Sequence, residues 1–202
     1  DDFDEQLDSM IANITIPEVP DINIKTTVAA ETKPAETTSV ETTKLIETTT
    51  VVSEPDVSVL KNEQQFVFDG IYYDNETFVS AGITAPVGWV LGTNTASNQY
   101  ENASYPDSYI VEDINKGAMF VIANAKSHGK TSYPSLQLYK GLTWGATADD
   151  IKSAYGEPAK EGNSEQYNTQ LTNLFYKGSG GGLIVFEVSA DWGLIAINCF
   201  GK

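Results

Sequence analysis

The chain has 202 residues and a formal net charge of -16, carried by 28 acidic residues against 12 basic ones, every one a lysine. Such a surface opposes nucleic acid and anionic lipid, both of which are held chiefly by clustered cations neutralising phosphates. A single histidine and a single cysteine exclude an intrachain disulfide and the common Cys/His zinc sites, and there is no apolar run of about 18 residues to span a membrane as a helix.

Charge and aromatic content divide the chain near residue 60. Residues 1–60 hold 13 acids and 3 lysines, and of 21 aromatic residues only Phe3 lies there. A segment this charged and this poor in aromatics cannot bury enough apolar surface to offset its conformational entropy, which predicts a disordered leader before a globular part over 61–202. Within the leader, Phe3, Leu7, Met10, Ile11 and Ile14 fall at helical spacing, predicting an amphipathic segment over 3–14. Its acidic face of Asp4, Glu5 and Asp8 disfavours an anionic membrane. Docking on the protein's own domain, docking on a partner, and a terminus with only transient helicity all remain open. Residues 26–50 contain ten threonines, and Glu-Thr-Thr recurs at 36–38, 41–43 and 47–49. This composition predicts an extended, solvated stalk, with a plain unstructured leader as the alternative. The Asp at position 1 fits a processed form, and export is inferred from the stalk. A lipid anchor would require a cysteine ahead of Asp1.

In the globular part, residues 65–73 read as a strand, 76–81 as a short helix and 88–91 as the start of a second sheet segment. Strands over 108–114, 118–125 and 136–139 follow, with a turn at 115–117 and an exposed loop over 126–133. Thr147-Ala148-Asp149-Asp150 opens a helix over 148–155, because the threonine hydroxyl can accept an amide hydrogen bond while the carboxylates sit at the positive helix end. Gly156 and Pro158 end it. Strands over 167–176, 183–188 and 194–200 complete the chain, joined by the glycine-rich stretch 178–182 and the turn Asp191-Trp192-Gly193. The predicted fold class is α+β, with short helices packed on antiparallel meanders. Residues 61–140 and 141–202 are expected to be two tandem similar units that share one sheet or pack side by side.

The run Gly141-Leu-Thr-Trp-Gly145-Ala-Thr147-Ala-Asp-Asp-Ile151-Lys-Ser-Ala-Tyr155-Gly156-Glu-Pro158, followed by a tyrosine-containing strand and Leu-Ile-Val-Phe, carries a resemblance. It resembles secreted or lipid-anchored proteins of Gram-positive gut bacteria, the small lipoprotein of the outer-membrane barrel-assembly machinery, and the repeat of β-lactamase inhibitory protein. The likeness covers about residues 139–200, with a weaker echo over 66–89, and its motif positions are capping, packing and turn residues. It implies a helix followed by a three-stranded meander, an envelope location and protein–protein binding. It carries over no catalytic residue.

The candidate chemistry is sparse. His128 falls in a polar loop with no nucleophile-elbow motif nearby, and Cys199 alternates with apolar neighbours as a small buried residue would. Neither Asp149-Asp150 nor the set Asp69, Asp74 and Glu76 has the spacing of a cation-binding loop, so no cofactor or metal is expected. The aromatic residues Trp89, Tyr100, Tyr105 and Tyr133 are the candidate binding residues, since large rigid rings bury area at low entropic cost. The alternative is that such rings pack their edges over the sheet. The sequence therefore predicts a non-enzymatic, extracytoplasmic binding module at the surface of a Gram-positive cell, recognising an envelope or extracellular protein or a glycan. It would touch the membrane only through a lipid anchor absent from this chain. A carboxylate-dependent glycan or peptidoglycan hydrolase and a purely structural envelope protein are the other readings.

Overall fold

The computed structural model describes residues 60–77, 83–92, 98–106, 108–113, 118–123, 133–166 and 169–201, with the backbone alone described for 118–123. The chain divides into two units, Asp1–Thr49 and Thr50–Lys202, and every described residue belongs to the second. The predicted leader, its 3–14 segment, the stalk, the 115–117 turn and the His128 loop lie outside the described residues.

The described fold is mostly β. Eleven strands run in chain order as β1 (Gln65–Phe68), β2 (Ile71–Asp74), β3 (Val90–Leu91), β4 (Asn98–Glu101), β5 (Ser108–Asp113), β6 (Ala118–Ala123), β7 (Leu136–Leu138), β8 (Lys160–Gln166), β9 (Thr169–Lys177), β10 (Leu183–Ser189) and β11 (Gly193–Phe200). Among the described residues one α-helix, α1 (Ala148–Tyr155), lies between β7 and β8. The expected α+β class with several short helices is therefore corrected: among the described residues only α1 is an α-helix, and Glu76 and Thr77, the described start of the predicted 76–81 helix, form a turn.

All pairing is antiparallel. β2-β1-β7 make a small sheet, and β3-β4-β5-β6-β11-β10-β9-β8 make a large one. The meander β3–β6 and the meander β8–β11 meet at their last strands, where β6 pairs with β11 from Ala196↔Ile122 to Phe200↔Ala118. Two strands escaped the sequence reading. β8 is Lys-Glu-Gly-Asn-Ser-Glu-Gln and β4 is Asn-Gln-Tyr-Glu, neither of which carries an apolar period. Their strand character comes from neighbours: β8 is zipped to β9 over seven paired positions. Its charges suit the edge of the sheet, where they discourage pairing with other chains.

One face of the large sheet carries the main core. Leu174, Ile184, Phe186, Leu194, Ile197 and Cys199 from β9–β11 pack with Phe66 and Phe68 of β1, Leu136 and Leu138 of β7, and Ile151 of α1. Ile151 is the one helix residue fully enclosed. Around it, Tyr139, Tyr155, Phe186 and Tyr176 form a chain of rings with centroids 5.6–6.1 Å apart, and the Tyr176 hydroxyl donates 2.9 Å to the Gly156 carbonyl at the helix end. The small sheet and α1 thus share one apolar layer. Cys199 is enclosed in this layer as its alternating pattern predicted, and desolvation pushes its thiol pKa up, which removes it as a nucleophile at neutral pH.

A β-bulge at Glu187/Val188 sets the geometry at the start of β11. Glu187 pairs with Ala196 and Val188 with Leu194, so Ile195 is the extra residue. The bulge returns Leu194 to the core face while Ile195 packs on the opposite face with Leu171. The glycines of 178–182 serve close approach as well as turning. A Cβ on Gly182 would stand 2.9 Å from the Asn75 amide nitrogen, and the Gly180 amide donates 2.8 Å to Glu76 Oε1. The β9–β10 hairpin is thereby tied to the turn after β2.

Because α1 contributes one enclosed side chain, Ile151→Ala is expected to lower stability by about 2–4 kcal/mol, the usual cost of such a truncation in a packed core. Urea denaturation followed by tryptophan fluorescence measures it, and a midpoint equal to wild type would place Ile151 outside the core.

Candidate functional site

Where the N-terminal end of α1 meets the β10–β11 turn, an open cleft of about 500 Å³ lies between them. Gly145, Thr147, Ala148 and Asp149 form one wall, Ser189 to Gly193 the other, and Thr172 and Val188 the sheet between them. The helix wall is built by the predicted capping box. The Asp150 amide donates 3.1 Å to Thr147 Oγ1 and the Thr147 amide donates 2.9 Å back to Asp150 Oδ2. The Thr147 hydroxyl and then its amide hold the Asp150 carboxyl below its ordinary pKa. Asp150 is thus committed to the helix end, while Asp149 lines the cleft.

The opposite wall is fixed by Ser189. Its hydroxyl oxygen accepts from the amides of Asp191 at 3.1 Å and Trp192 at 3.3 Å, and it lies 3.1 Å from Thr169 Oγ1. This arrangement sets Asp191 and the half-buried Trp192 in the cleft lining, with the Trp192 side chain resting on Leu171 and Ile195 and the Asp191 carboxylate accepting 3.4 Å from the Thr169 hydroxyl. The floor is drawn tight. The Gly145 amide donates 3.1 Å to the Leu194 carbonyl and the Leu194 amide 2.8 Å to the Ala146 carbonyl. Gly193 has φ +69, and a Cβ there would overlap the Gly145 carbonyl group. Only glycine combines that backbone angle with that approach. The cleft lining therefore includes two acidic residues, Asp149 and Asp191, several hydroxyl-bearing residues and Trp192. No group of three or more His, Cys, Asp or Glu able to hold a metal ion occurs among the described residues.

The aromatic candidates lie elsewhere. Trp89 is 6% exposed, so its ring is a core group and takes the alternative reading, in which such rings pack within the fold. Its Nε1 donates 2.7 Å to Asp69 Oδ2, and its ring stands 5.3 Å from Phe68 and 6.2 Å from Tyr105. Tyr105 is partly buried against the main core, and so is Tyr100, which sits on β4 and not in a loop. Desolvation, and then the Glu112 carboxylate, raise the Tyr100 hydroxyl pKa. Tyr133 is half-buried beside Pro134, whose carbonyl accepts 2.9 Å from Trp144 Nε1. Three of the four candidates therefore pack in or against the main core.

The cleft residues were visible in the sequence only as a turn and a helix cap. Asp191-Trp192-Gly193 read as a turn, and nothing in its spacing placed it opposite Thr147. No family model, no curated protein and no solved structure matches the chain.

Gly193→Ala is expected to displace the turn at Gly145 and lower stability by about 1–3 kcal/mol, the usual cost of overpacking. A melting temperature and a tryptophan emission spectrum unchanged from wild type would show that the two walls do not meet there.

Proposed function

We propose that this domain is a non-enzymatic recognition module displayed outside the cell, and that it takes a glycan of the cell envelope in the cleft between α1 and the β10–β11 turn. The carrying observation is the lining of that cleft, which combines the half-buried Trp192 with Asp149, Asp191, Thr147 and Thr172. An aromatic face stacks on the apolar face of a sugar ring, and carboxylates and hydroxyls bond its hydroxyl groups. A volume of about 500 Å³ accommodates one or two such rings. The acidic, threonine-rich leader supports display at a Gram-positive surface, because a charged and solvated stalk holds a domain away from its anchor.

Two carboxylates lining one cleft also favour a second reading, hydrolysis of the same class of ligand. One experiment separates the two. Soluble peptidoglycan fragments and neutral oligosaccharides are titrated into wild type and Trp192→Ala by calorimetry, with reducing ends assayed in the same samples. Recognition predicts saturable binding, a loss of roughly tenfold or more in Trp192→Ala, equivalent to about 1.4 kcal/mol, and no new reducing ends. Accumulating reducing ends that vanish in Asp149→Asn or Asp191→Asn would establish the hydrolase. Absence of binding to every fragment would overturn the glycan reading and return the search to protein partners.

A further inference from the structure

On the face of the large sheet opposite the main core, three neighbouring strands carry buried oxygen atoms that lack a hydrogen-bond partner. They are Oδ1 of Asn173 on β9, Oε2 of Glu187 on β10 and Oδ1 of Asn198 on β11. The register places Asn173 directly opposite Glu187, with Asn198 two residues beyond Ala196, the partner of Glu187 on the other side. Glu187 is 3% and Asn198 1% exposed. Two of the available donors are already committed: Asn198 Nδ2 to Glu187 Oε1 at 2.6 Å, and Asn173 Nδ2 to Ser164 Oγ at 2.9 Å.

With Glu187 ionised, this cluster consists almost wholly of acceptors. A buried carboxylate would hold a single hydrogen bond, from Asn198, with no other described donor on its second oxygen, an arrangement that costs much of its desolvation. A single proton changes the count. Placed on Oε2, it turns an orphan acceptor into a donor, and the opposing Asn173 Oδ1 becomes its acceptor across the strand pair. We propose that the folded domain carries a proton on Glu187, donated from Oε2 to Asn173 Oδ1, and that this proton makes the centre of the large sheet a pH-sensitive element.

The surroundings support the assignment. On this face the nearest described ionisable groups are Lys177 at the end of β9, Lys160 on β8 opposite Phe175, Asp191 past the end of β10, which accepts from Thr169, and Tyr109 on β5, beyond β6; β11 contributes none. Neither lysine is opposite Glu187. Burial raises the Glu187 carboxyl from its ordinary 4.5 to about 7, and the Asn198 hydrogen bond only partly opposes the rise.

The sign follows from proton binding. Below about 4.5 the carboxyl is protonated in both folded and unfolded chains, and the contribution to stability is fully present. Between about 4.5 and 7 the unfolded chain releases the proton while the folded one keeps it, so stability falls as pH rises. Above about 7 both are ionised and the loss is complete.

The test compares urea unfolding of the full chain and of Glu187→Gln from pH 4.5 to pH 8.5. The glutamine amide mimics the protonated carboxyl and cannot titrate. The ratio of the wild-type to the variant unfolding constant is expected to rise by up to about tenfold per pH unit through the window and then level off. Parallel curves for the two proteins would overturn the proposal. They would mean that the Asn173 amide is turned the other way, with Oδ1 accepting from Ser164 and Nδ2 donating to an ionised Glu187. Should Glu187→Gln not fold, carbon-13 NMR of the wild-type glutamate carboxyls decides. One resonance titrating near 7 supports the proposal, and all of them titrating near 4.5 overturns it.

Discussion

The constraint on which this domain depends is that β10 and β11 are buried along their whole lengths, on both faces of the sheet. An antiparallel strand that faces water on one side alternates apolar and polar residues. Strands enclosed on both sides have no such outlet. Every polar group on them must find a partner inside the protein. The apolar ones, Ile184, Phe186, Leu194 and Ile197, supply the layer on which the small sheet and α1 rest. The polar ones, Glu187, Ser189 and Asn198, are the places where the sheet does something other than pack.

Ser189 and Glu187 resolve that constraint differently. Ser189 is near the end of its strand, where turning backbone offers amides, and its oxygen accepts two of them while meeting Thr169. Burial there yields a rigid turn and a shaped cleft. Glu187 lies two residues earlier, where the neighbouring amides are already engaged in pairing with β9 and β11, so only side chains can serve it. The same pressure to satisfy buried oxygen atoms builds a ligand-sized wall at one position and gathers unpaired acceptors at the other. The bulge after Glu187 separates the two, because it resets the register and turns Leu194 back into the core.

The parts of the fold that were legible in the sequence are those set by local chemistry. The α1 start reads from Thr147 and Asp150, its end from Gly156, and β10 and β11 from their apolar runs. What was not legible depends on tertiary neighbours. β8 is polar throughout and is a strand because β9 offers it an edge. Trp89 reads as the start of a sheet segment and as a candidate binding ring, yet Asp69 is held at φ 45 with its carboxylate 2.7 Å from the indole nitrogen, which lets the ring sink into the core. The number of helices was overestimated because a short polar segment near 76 has the composition of either a helix or a turn, and Glu76 is used instead to hold the glycine hairpin.

The cleft illustrates why site prediction lags behind fold prediction here. Its two walls come from segments more than forty residues apart, each explained locally as a cap and as a turn. Neither explanation is wrong, since Thr147 does cap α1 and Gly193 does turn the chain. What joins them is the pair of backbone hydrogen bonds between Gly145–Ala146 and Leu194. Backbone bonds leave no trace in side-chain pattern except where close approach forbids a Cβ, and the trace left here is Gly193, while Gly145 on the other side is a glycine for its φ of +81. Gly145 and Gly193 read one at a time are turn residues. Read together, they mark where the turn before α1 and the start of β11 are drawn into contact, so that a capping threonine and a turn tryptophan come to line the same cleft.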